Sequence, residues 1–436
     1  MSSNRRQMLL GSLAVLGAGS LTRLNATAAK PGRFPDKFLW GVATAGHQVE
    51  GNNVNSDMWL LEHVQPTLFK EPSGDACDHY HRFRDDIALV AALGFNTYRF
   101  SLEWARIEPS PGEFSLAELN HYREMLAACH EHGLLPLVTI NHFTAPRWFG
   151  ALGGWEAAGA SDHFVRYTEQ VSHSLGDLIG AASTMNEPNL AALLRWMGLP
   201  PVMFTIQAAM LAAAAAATGS QRFTALQFAN PDLVLQPLLD GHRRAYEVLK
   251  AGPGSFPVGV SVALMDDQAV GDDSQVRRKR EECYQPWFEA ARHCDFIGVQ
   301  TYSRSRLDAH GFLGPESGVE LTHSGEEFYP ESLEHTIRLA AQATGKPVYV
   351  TENGIDTLDD MRREAYIKCA VAGLKRCLDD GIDVRSYVHW SLLDNFEWIF
   401  GYGPRYGLVA VDHITQKRTV KPSAHLLGSI ARRNGL

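Results

Sequence analysis

Two glutamates stand at the ends of strand-like runs, and their side chains could share one reaction. Glu187 lies in the segment TMNEPN and Glu352 in the segment YVTENG, where a β-branched and aromatic run leads straight into the carboxylate. Such runs are typical of buried strands. Because burying an unpaired carboxylate is costly, each glutamate is either a solvated loop acid or is held there for chemistry. Two facing carboxyl groups, one protonated and one ionised, are what the cleavage of a glycosidic bond requires.

This chemistry requires the two carboxyl groups to differ in their surroundings. Arg99 ends another strand-like run, and a guanidinium beside Glu352 would favour its ionised form. Glu187 follows Asn186 and has no basic side chain next to it in the sequence. We therefore expect Glu187 to be the protonated acid and Glu352 to be its ionised partner.

The elements that must position these side chains form one repeated pattern. Eight apolar, strand-like runs alternate with segments of helical period, and they span residues 38–45, 95–104, 134–142, 181–189, 257–264, 295–303, 347–354 and 384–395. Several helical segments end in glycine, the usual residue after a helix C-terminus. Strand then helix, with no long linker, predicts the α/β class and a single (β/α)8 TIM barrel. A doubly wound open sheet alternates in the same way and is the alternative.

The ends of the runs favour the barrel. Most of them finish in polar or ionisable side chains, which are Gln48, Glu50, Arg99, Glu103, His142, Asn186, Glu187, Tyr302, Glu352, Trp390, Asp394 and Asn395. In a barrel these C-terminal ends converge on one face, where the active sites of this fold lie. We expect the fourth and seventh strands to lie opposite each other around the ring. Glu187 and Glu352 would then face each other with their carboxyl groups roughly 5 Å apart.

Length, composition and charge limit the partners. The chain has 436 residues, a hydrophobic content of 45% and a formal charge of −9. It can therefore bury a large core, and a negative charge without a basic block argues against nucleic acid or an anionic membrane surface as partner. The segment CDHYH places Cys77, His79 and His81 at alternate positions, which could suggest a metal or, alternatively, the entry to a helix. We favour the helix, and we expect neither a metal nor a cofactor.

Residues 1–28 have the features of an export signal peptide. A basic start is followed by an apolar stretch at 8–21, which is too short to span a membrane. Arg5 and Arg6, side by side, resemble a bacterial twin-arginine signal. We expect a periplasmic or secreted protein, with 29–436 as the catalytic domain and no membrane association in the mature form. An ordinary secretory signal and an uncleaved membrane anchor are the alternatives.

Five segments together resemble glycoside hydrolase family 1, the family of β-glucosidases and β-galactosidases. They are FLWGVATAGHQVEG, DHYHRFRDDIALVAALGFNTYRFSLEWARIEPSPGEFS, TMNEPN, YVTENG and HWSLLDNFEWIFGYGPRYGLVAVD. The resemblance covers essentially all of residues 34–430. Because the five segments follow one another in the family's order, the resemblance is far more specific than a lone NEP would be.

The resemblance implies a retaining β-glycosidase, with Glu352 as the nucleophile and Glu187 as the acid and then the base. It implies that Tyr302 steadies the nucleophile, which Arg99 also supports. The sugar-binding positions that it implies are Gln48, His142, Asn186, Trp390, Glu397 and Trp398. Members that act on 6-phosphorylated sugars tend to lack the acid at Glu397, so its presence favours an unphosphorylated glucose-, galactose- or fucose-type residue. The expected partner is therefore a small β-glycoside or oligosaccharide.

Two other functions could use the same barrel. A transglycosylase would pass the sugar of the covalent intermediate to an alcohol instead of water. An inactive sugar-binding barrel would be expected to have lost one carboxylate or Arg99, and the sequence keeps all three groups.

The sequence departs from the family in three places, and one of them is the loop after Tyr302, which lacks the Trp that the family often has shortly before a Tyr-Pro pair. Gln300 and Thr301 stand where the family usually has Asn and an aromatic residue, and an Ala-rich insert covers 207–217. The insert could be a plain helix, a lid or a contact surface. We expect these departures to lie where the leaving group binds. The sequence therefore leaves the aglycone, the choice among glycones and the oligomeric state open.

Overall fold

The centre of the molecule is a closed barrel of eight parallel strands, seen in a computed structural model that describes residues 32–436. The strands are β1 (Leu39–Ala43), β2 (Thr97–Ser101), β3 (Leu135–Asn141), β4 (Ala181–Asn186), β5 (Val258–Ala263), β6 (Phe296–Thr301), β7 (Val348–Asn353) and β8 (Val384–Trp390). Each strand pairs with its neighbours in sequence, and β8 closes the ring on β1. The predicted (β/α)8 barrel is confirmed, and the open sheet is wrong.

The positions of β4 and β7 differ from the expectation. β5 and β6 separate them around the ring, so they lie three places apart rather than diametrically opposite, and the expected opposition is wrong. All eight strands are parallel, so their C-terminal ends still open onto one mouth. This shared mouth brings Glu187 and Glu352 together.

The strands are apolar because helices cover them from outside. β2, β4, β5, β6 and β7 are buried at every position, as parallel strands covered on both faces must be. The larger helices are α1 (His79–Leu93), α2 (Leu116–Glu131), α3 (Ala160–Leu175), α4 (Pro201–Thr218), α5 (Pro231–Ala251), α6 (Val276–Cys283), α7 (Ser332–Thr344), α8 (Asp360–Asp379) and α9 (Pro422–Arg433). Shorter helices span Gly46–Val49, Asp57–His63, Trp104–Ile107, Arg147–Leu152, Leu190–Trp196 and Gln285–Ala291.

Helix α3 shows how the sequence pattern becomes packing. Phe164, Thr168, Val171 and Leu175 recur at spacings of three and four residues, and all four are buried. At 3.6 residues per turn these positions share one face. The helical period in the sequence therefore marks the face that packs against the rest of the protein.

Short strands outside the barrel form two small sheets. Asp266–Ala269, Arg304–Asp308 and Gly311–Leu313 make one sheet after β5 and β6, and Val409–Asp412 pairs with Lys417–Val420 in a hairpin after β8. The sequence pattern did not predict these strands. They are four residues long on average, too short to leave a clear alternation.

The Ala-rich segment forms helix α4. Met210, Ala214 and Ala215 are buried, whereas Val202 and Phe204 in its first turn are 60% and 49% exposed. By length and composition this helix could cross a membrane, which is weak evidence on its own.

The segment CDHYH leads into helix α1, as expected. His79 pairs with Asp86 at 2.8 Å, and the Cys77 thiol donates to the Asp394 carbonyl at 3.4 Å. His81 pairs with Asp78 on the surface. These three side chains are therefore engaged in separate contacts. The predicted signal peptide at 1–28 lies outside the described residues.

Candidate active site

A cavity of about 140 Å³ opens at the C-terminal mouth of the barrel. Its walls are formed by Gln48, His142, Phe143, Asn186, Glu187, Tyr302, Glu352, Trp390, Glu397, Trp398 and Tyr406. Every predicted site residue except Arg99 lines this cavity, and Arg99 lies fully buried beneath it. Phe143 and Tyr406 were not predicted, although Phe143 follows His142 directly and Tyr406 lies within the last of the five segments.

Glu352, at the end of β7, is held by two donors. Arg99 Nη1 lies 2.6 Å from one carboxylate oxygen, and the Tyr302 hydroxyl lies 2.5 Å from the other. Burial raises the pKa of Glu352, and the charge of Arg99 with the hydrogen bond from Tyr302 opposes that rise. Burial also raises the pKa of Tyr302 well above its usual range, so its hydroxyl remains a donor. Both partners favour the ionised form of Glu352.

The Tyr302 side chain depends on a second layer of contacts. Tyr366 donates from its hydroxyl to the Tyr302 carbonyl at 2.7 Å, and Asn353 Nδ2 donates to the Thr301 carbonyl at 2.8 Å. Asn353 directly follows Glu352 in the YVTENG segment. These contacts tie the end of β6 to the end of β7, so the donor and the carboxylate are fixed to one another.

Glu187 has the opposite surroundings. Its side chain makes no hydrogen bond to any residue in 32–436, while its backbone N–H donates to the Ser261 carbonyl at 2.8 Å. Burial raises the pKa of Glu187 well above its usual range, and the charge of Glu352 adds to that rise. Its φ of 43° lies in the left-handed region, which is uncommon for a residue with a side chain and recurs at functional sites.

The two glutamates therefore differ as acid and base catalysis requires. A carboxyl group kept protonated can give its proton to a leaving oxygen, and an ionised one can attack the sugar carbon. Burial raises the pKa of both glutamates, and the charge of Arg99 lowers both. The difference comes from the hydrogen bonds of Arg99 and Tyr302, which reach Glu352 alone, and from the charge of Glu352, which raises the pKa of Glu187 further. The expectation that Arg99 contacts Glu352 is met in the structure.

The base of the cavity is a hydrogen-bonded group centred on Arg99. Its Nη2 donates to Asn186 Oδ1 at 2.6 Å, and its Nε donates to the Thr139 hydroxyl at 3.1 Å. Gln300 Nε2 also donates to Asn186 Oδ1, at 2.8 Å. Gln300 and Thr301 are buried and do not line the cavity. The expectation that these two residues lie on the leaving-group side is therefore wrong.

Another wall of the cavity is built around Glu397. Gln48 Nε2 lies 3.2 Å from one of its oxygens, and Trp390 Nε1 lies 3.3 Å from the other. Burial raises the pKa of Glu397 well above its usual range. Gln48 Oε1 is buried and has no partner among the described residues. These groups offer both donors and acceptors, as a polyhydroxylated ligand needs.

Aromatic rings form the remaining wall. His142 stacks on Trp390 with ring centroids 5.7 Å apart, and Trp398 lies nearly parallel to His142 at 6.3 Å. Phe143 meets Trp398 edge to face at 5.5 Å. Burial lowers the pKa of His142 well below its usual range, so its ring is neutral and has one donor and one acceptor nitrogen.

Several of the predicted polar strand ends do not reach the cavity. Glu50 pairs with Arg106 at 2.8 Å, and Asp394 pairs with Lys421 at 2.8 Å. Glu103 is fully buried and accepts from Asn53 at 2.7 Å. These groups support the loops above the barrel. Among residues 32–436, no three His, Cys, Asp or Glu side chains are grouped so as to hold a metal ion.

Comparisons with known proteins agree with the geometry. The sequence pattern of Glycosyl hydrolase family 1 matches residues 30–224 and 293–436. Beta-glucosidase A of Thermotoga maritima is 30% identical over 462 residues, which cover 93% of this chain and 99% of that protein. The crystal structure of beta-glycosidase BGL167 is 50% identical, with a TM-score of 0.88, and the match covers 92% of this chain and 98% of that one.

A third relative carries a bound compound. The Thermotoga maritima beta-glucosidase in complex with azafagomine is 27% identical to this chain, with a TM-score of 0.81. The match covers 93% of this chain and 99% of that one. The family pattern spans well over half of the sequence, and the relatives match over nearly their whole lengths. The chain therefore belongs to glycosyl hydrolase family 1, as a β-glucosidase-like enzyme that hydrolyses β-glycosides.

Proposed function

We propose that the enzyme is a retaining β-glycosidase that removes terminal, unphosphorylated glucose-, galactose- or fucose-type residues. Glu352 attacks the anomeric carbon while Glu187 gives its proton to the departing glycosidic oxygen, and a covalent glycosyl-enzyme results. Glu187, now ionised, takes a proton from water, whose oxygen attacks the same carbon and releases Glu352. Two inversions give a sugar of the original configuration.

One observation carries this proposal: two buried glutamates on one cavity have opposite surroundings. Arg99 and Tyr302 donate hydrogen bonds to the Glu352 carboxylate, and the Glu187 side chain has no hydrogen-bond partner within 32–436. A nucleophile must be ionised and an acid must hold its proton, so this difference supports Glu352 as the nucleophile and Glu187 as the acid. The names of the relatives, which are β-glucosidases, favour glucose as the glycone.

Glu397 supports an unphosphorylated glycone. Its carboxyl group is buried at the polar wall beside Gln48 and Trp390. A phosphate on the sugar would bring a double negative charge to a wall with a buried carboxyl group and no cation among its lining residues, and an unpaired buried charge is costly. A neutral hydroxyl can instead exchange hydrogen bonds with the carboxyl group.

The test is a rate panel on the mature protein. We expect hydrolysis of 4-nitrophenyl β-glucoside, β-galactoside or β-fucoside and little rate on the 6-phosphorylated glucoside. Absence of hydrolysis on all four would overturn the proposal. Product analysis with an added alcohol separates hydrolysis from sugar transfer, because a transglycosylase would form mainly the alkyl glycoside.

We further propose that the protein is exported to the periplasm or beyond. The support is the basic start with Arg5 and Arg6 and the short apolar stretch that follows. A β-glycosidase outside the cytoplasm would meet glycosides before uptake, when they carry no phosphate.

A further inference from the structure

The carboxamide of Asn186 is oriented by two donors that lie beneath the cavity. Arg99 Nη2 lies 2.6 Å from Asn186 Oδ1, and Gln300 Nε2 lies 2.8 Å from the same atom. A guanidinium has no acceptor, so the Asn186 atom beside Arg99 must be the oxygen. The Gln300 atom beside that oxygen must then be the nitrogen. One permanent charge thus fixes the orientation of both amides.

The consequence is a free donor in the cavity. Asn186 lines the cavity, and its Nδ2 makes no hydrogen bond to any residue in 32–436. Through Arg99, Asn186 is tied to Glu352, which attacks the anomeric carbon of the sugar. The hydroxyl nearest to that carbon is the one on C2. An NH2 group at this place can therefore donate to the C2 hydroxyl oxygen, a contact that strengthens in the transition state of glycoside cleavage.

Gln300 is a poor choice for stability alone. It is 1% exposed, and its Oε1 is buried without a partner among the described residues. A buried oxygen without a partner destabilises the folded state. Its nitrogen nevertheless donates a hydrogen bond to Asn186. A residue that costs stability but contacts a cavity-lining side chain is expected to serve the site rather than the fold.

We propose that Gln300 is a positioning residue that fixes the carboxamide of Asn186, so that its NH2 group meets the C2 hydroxyl of the glycone. The enzyme thereby selects sugars that carry this hydroxyl. The inference rests on the proposed retaining mechanism, because that mechanism places the anomeric carbon beside Glu352. Gln300 itself does not touch the sugar.

The test is the replacement Gln300→Met, which keeps the length of the side chain and removes both polar atoms. Thr301→Val is the matched control, because Thr301 is the adjacent buried residue and its hydroxyl has no partner among the described residues. kcat and KM are measured for 4-nitrophenyl β-glucoside and for its 2-deoxy analogue. The ratio of the two kcat/KM values reports the contribution of the C2 hydroxyl.

We expect Gln300→Met to lower the ratio of kcat/KM for the glucoside to kcat/KM for the 2-deoxy analogue about tenfold, mainly through kcat for the glucoside. A tenfold change corresponds to one oriented hydrogen bond in the transition state. The 2-deoxy substrate and Thr301→Val should change by less than about twofold. The Tm of Gln300→Met should not fall, because a buried oxygen without a partner is removed.

An equal loss on both substrates would show a merely structural role and overturn the inference, as would an unchanged ratio. If Gln300→Met does not fold, the same ratio of kcat/KM values is measured for Gln300→Ala and tests the inference in its place. A wild-type enzyme that cleaves none of the β-glycosides in the rate panel would instead refute the proposed function.

Discussion

Removing each glutamate in turn should produce two different enzymes, because the two side chains have different neighbours. In Glu187→Ala the nucleophile and both of its donors remain. Poor leaving groups can no longer be protonated, and general acid assistance contributes about 10²–10⁴-fold to the rate. We expect alkyl glycosides to lose this factor and dinitrophenyl glycosides to lose far less in the first step, since they depart without a proton.

Stability should separate the same two variants. The Glu187 side chain has no hydrogen-bond partner in 32–436, and burial disfavours its charged form, so Glu187→Ala should leave the free energy of unfolding unchanged or raise it. Glu352→Ala leaves the buried Arg99 without its carboxylate. Breaking a buried ion pair by removing one partner costs about 3–5 kcal/mol. Thermal unfolding of the two variants, measured side by side, tests this contrast.

The pH dependence has a definite sign. Glu187 must hold its proton in the free enzyme, so kcat/KM falls as the pH rises through its raised pKa, and this forms the basic limb of the profile. In Glu187→Ala the basic limb should disappear, while the acidic limb from Glu352 remains. Measurement of kcat/KM against pH for both enzymes with a 4-nitrophenyl glycoside, whose poorer leaving group still gains from the acid, checks both limbs.

Added azide assigns the roles directly. With Glu187→Ala, azide should attack the accumulated glycosyl-enzyme and give a β-glycosyl azide by two inversions. With Glu352→Ala, azide should replace the missing carboxylate and give the α-glycosyl azide by one inversion. The reverse pattern would exchange the two roles, and full activity in either variant would refute the mechanism.

Three further predictions concern the nucleophile, the stereochemistry and export. Tyr302→Phe removes a donor that favours ionised Glu352, so the pKa of Glu352 should rise and the acidic limb of kcat/KM should move to higher pH. Tyr406→Phe is the control and should leave this limb in place. An unmoved limb in Tyr302→Phe would contradict the proposed role of Tyr302. Proton NMR should find the β-anomer as the first product, whereas the α-anomer would indicate inversion and carboxyl groups about 6.5–9.5 Å apart. Changing Arg5 and Arg6 to Lys should hold the protein in the cytoplasm; unchanged export would leave the general secretory route.

The alternation of strands and helices was readable because it depends on local physics. Strand residues that are buried on both faces must be apolar along their whole length, and helices that cover them repeat every three or four residues. The eight strands of the barrel therefore lie within the eight predicted runs. The short strand Asp266–Ala269 pairs with Arg304–Asp308 through a tertiary contact that no local pattern encodes. The hairpin of Val409–Asp412 and Lys417–Val420 is local, but its strands are too short to show a clear alternation.

The position of Glu187 and Glu352 on one cavity was predictable for a related reason. A carboxylate at the end of an apolar strand is costly to bury, and side chains that conflict with their local surroundings in this way are expected at functional sites. The resemblance to the family then supplied the sugar-binding positions, all of which except His142 lie within the five segments. Phe143 and Tyr406 were missed because aromatic residues are ordinarily part of the core, and their types alone give no signal.

The fold class, the position of the two glutamates and the contact of Arg99 with Glu352 follow from the sequence alone, because the C-terminal ends of parallel strands meet on one face of a barrel. The distance of β4 from β7 around the ring depends on the tertiary structure. The tertiary structure also places Gln300 in a buried position beneath Asn186 and not on the expected leaving-group side. Such contacts join residues more than a hundred positions apart, and their distances depend on how the whole barrel closes. The local sequence pattern therefore does not specify these distances.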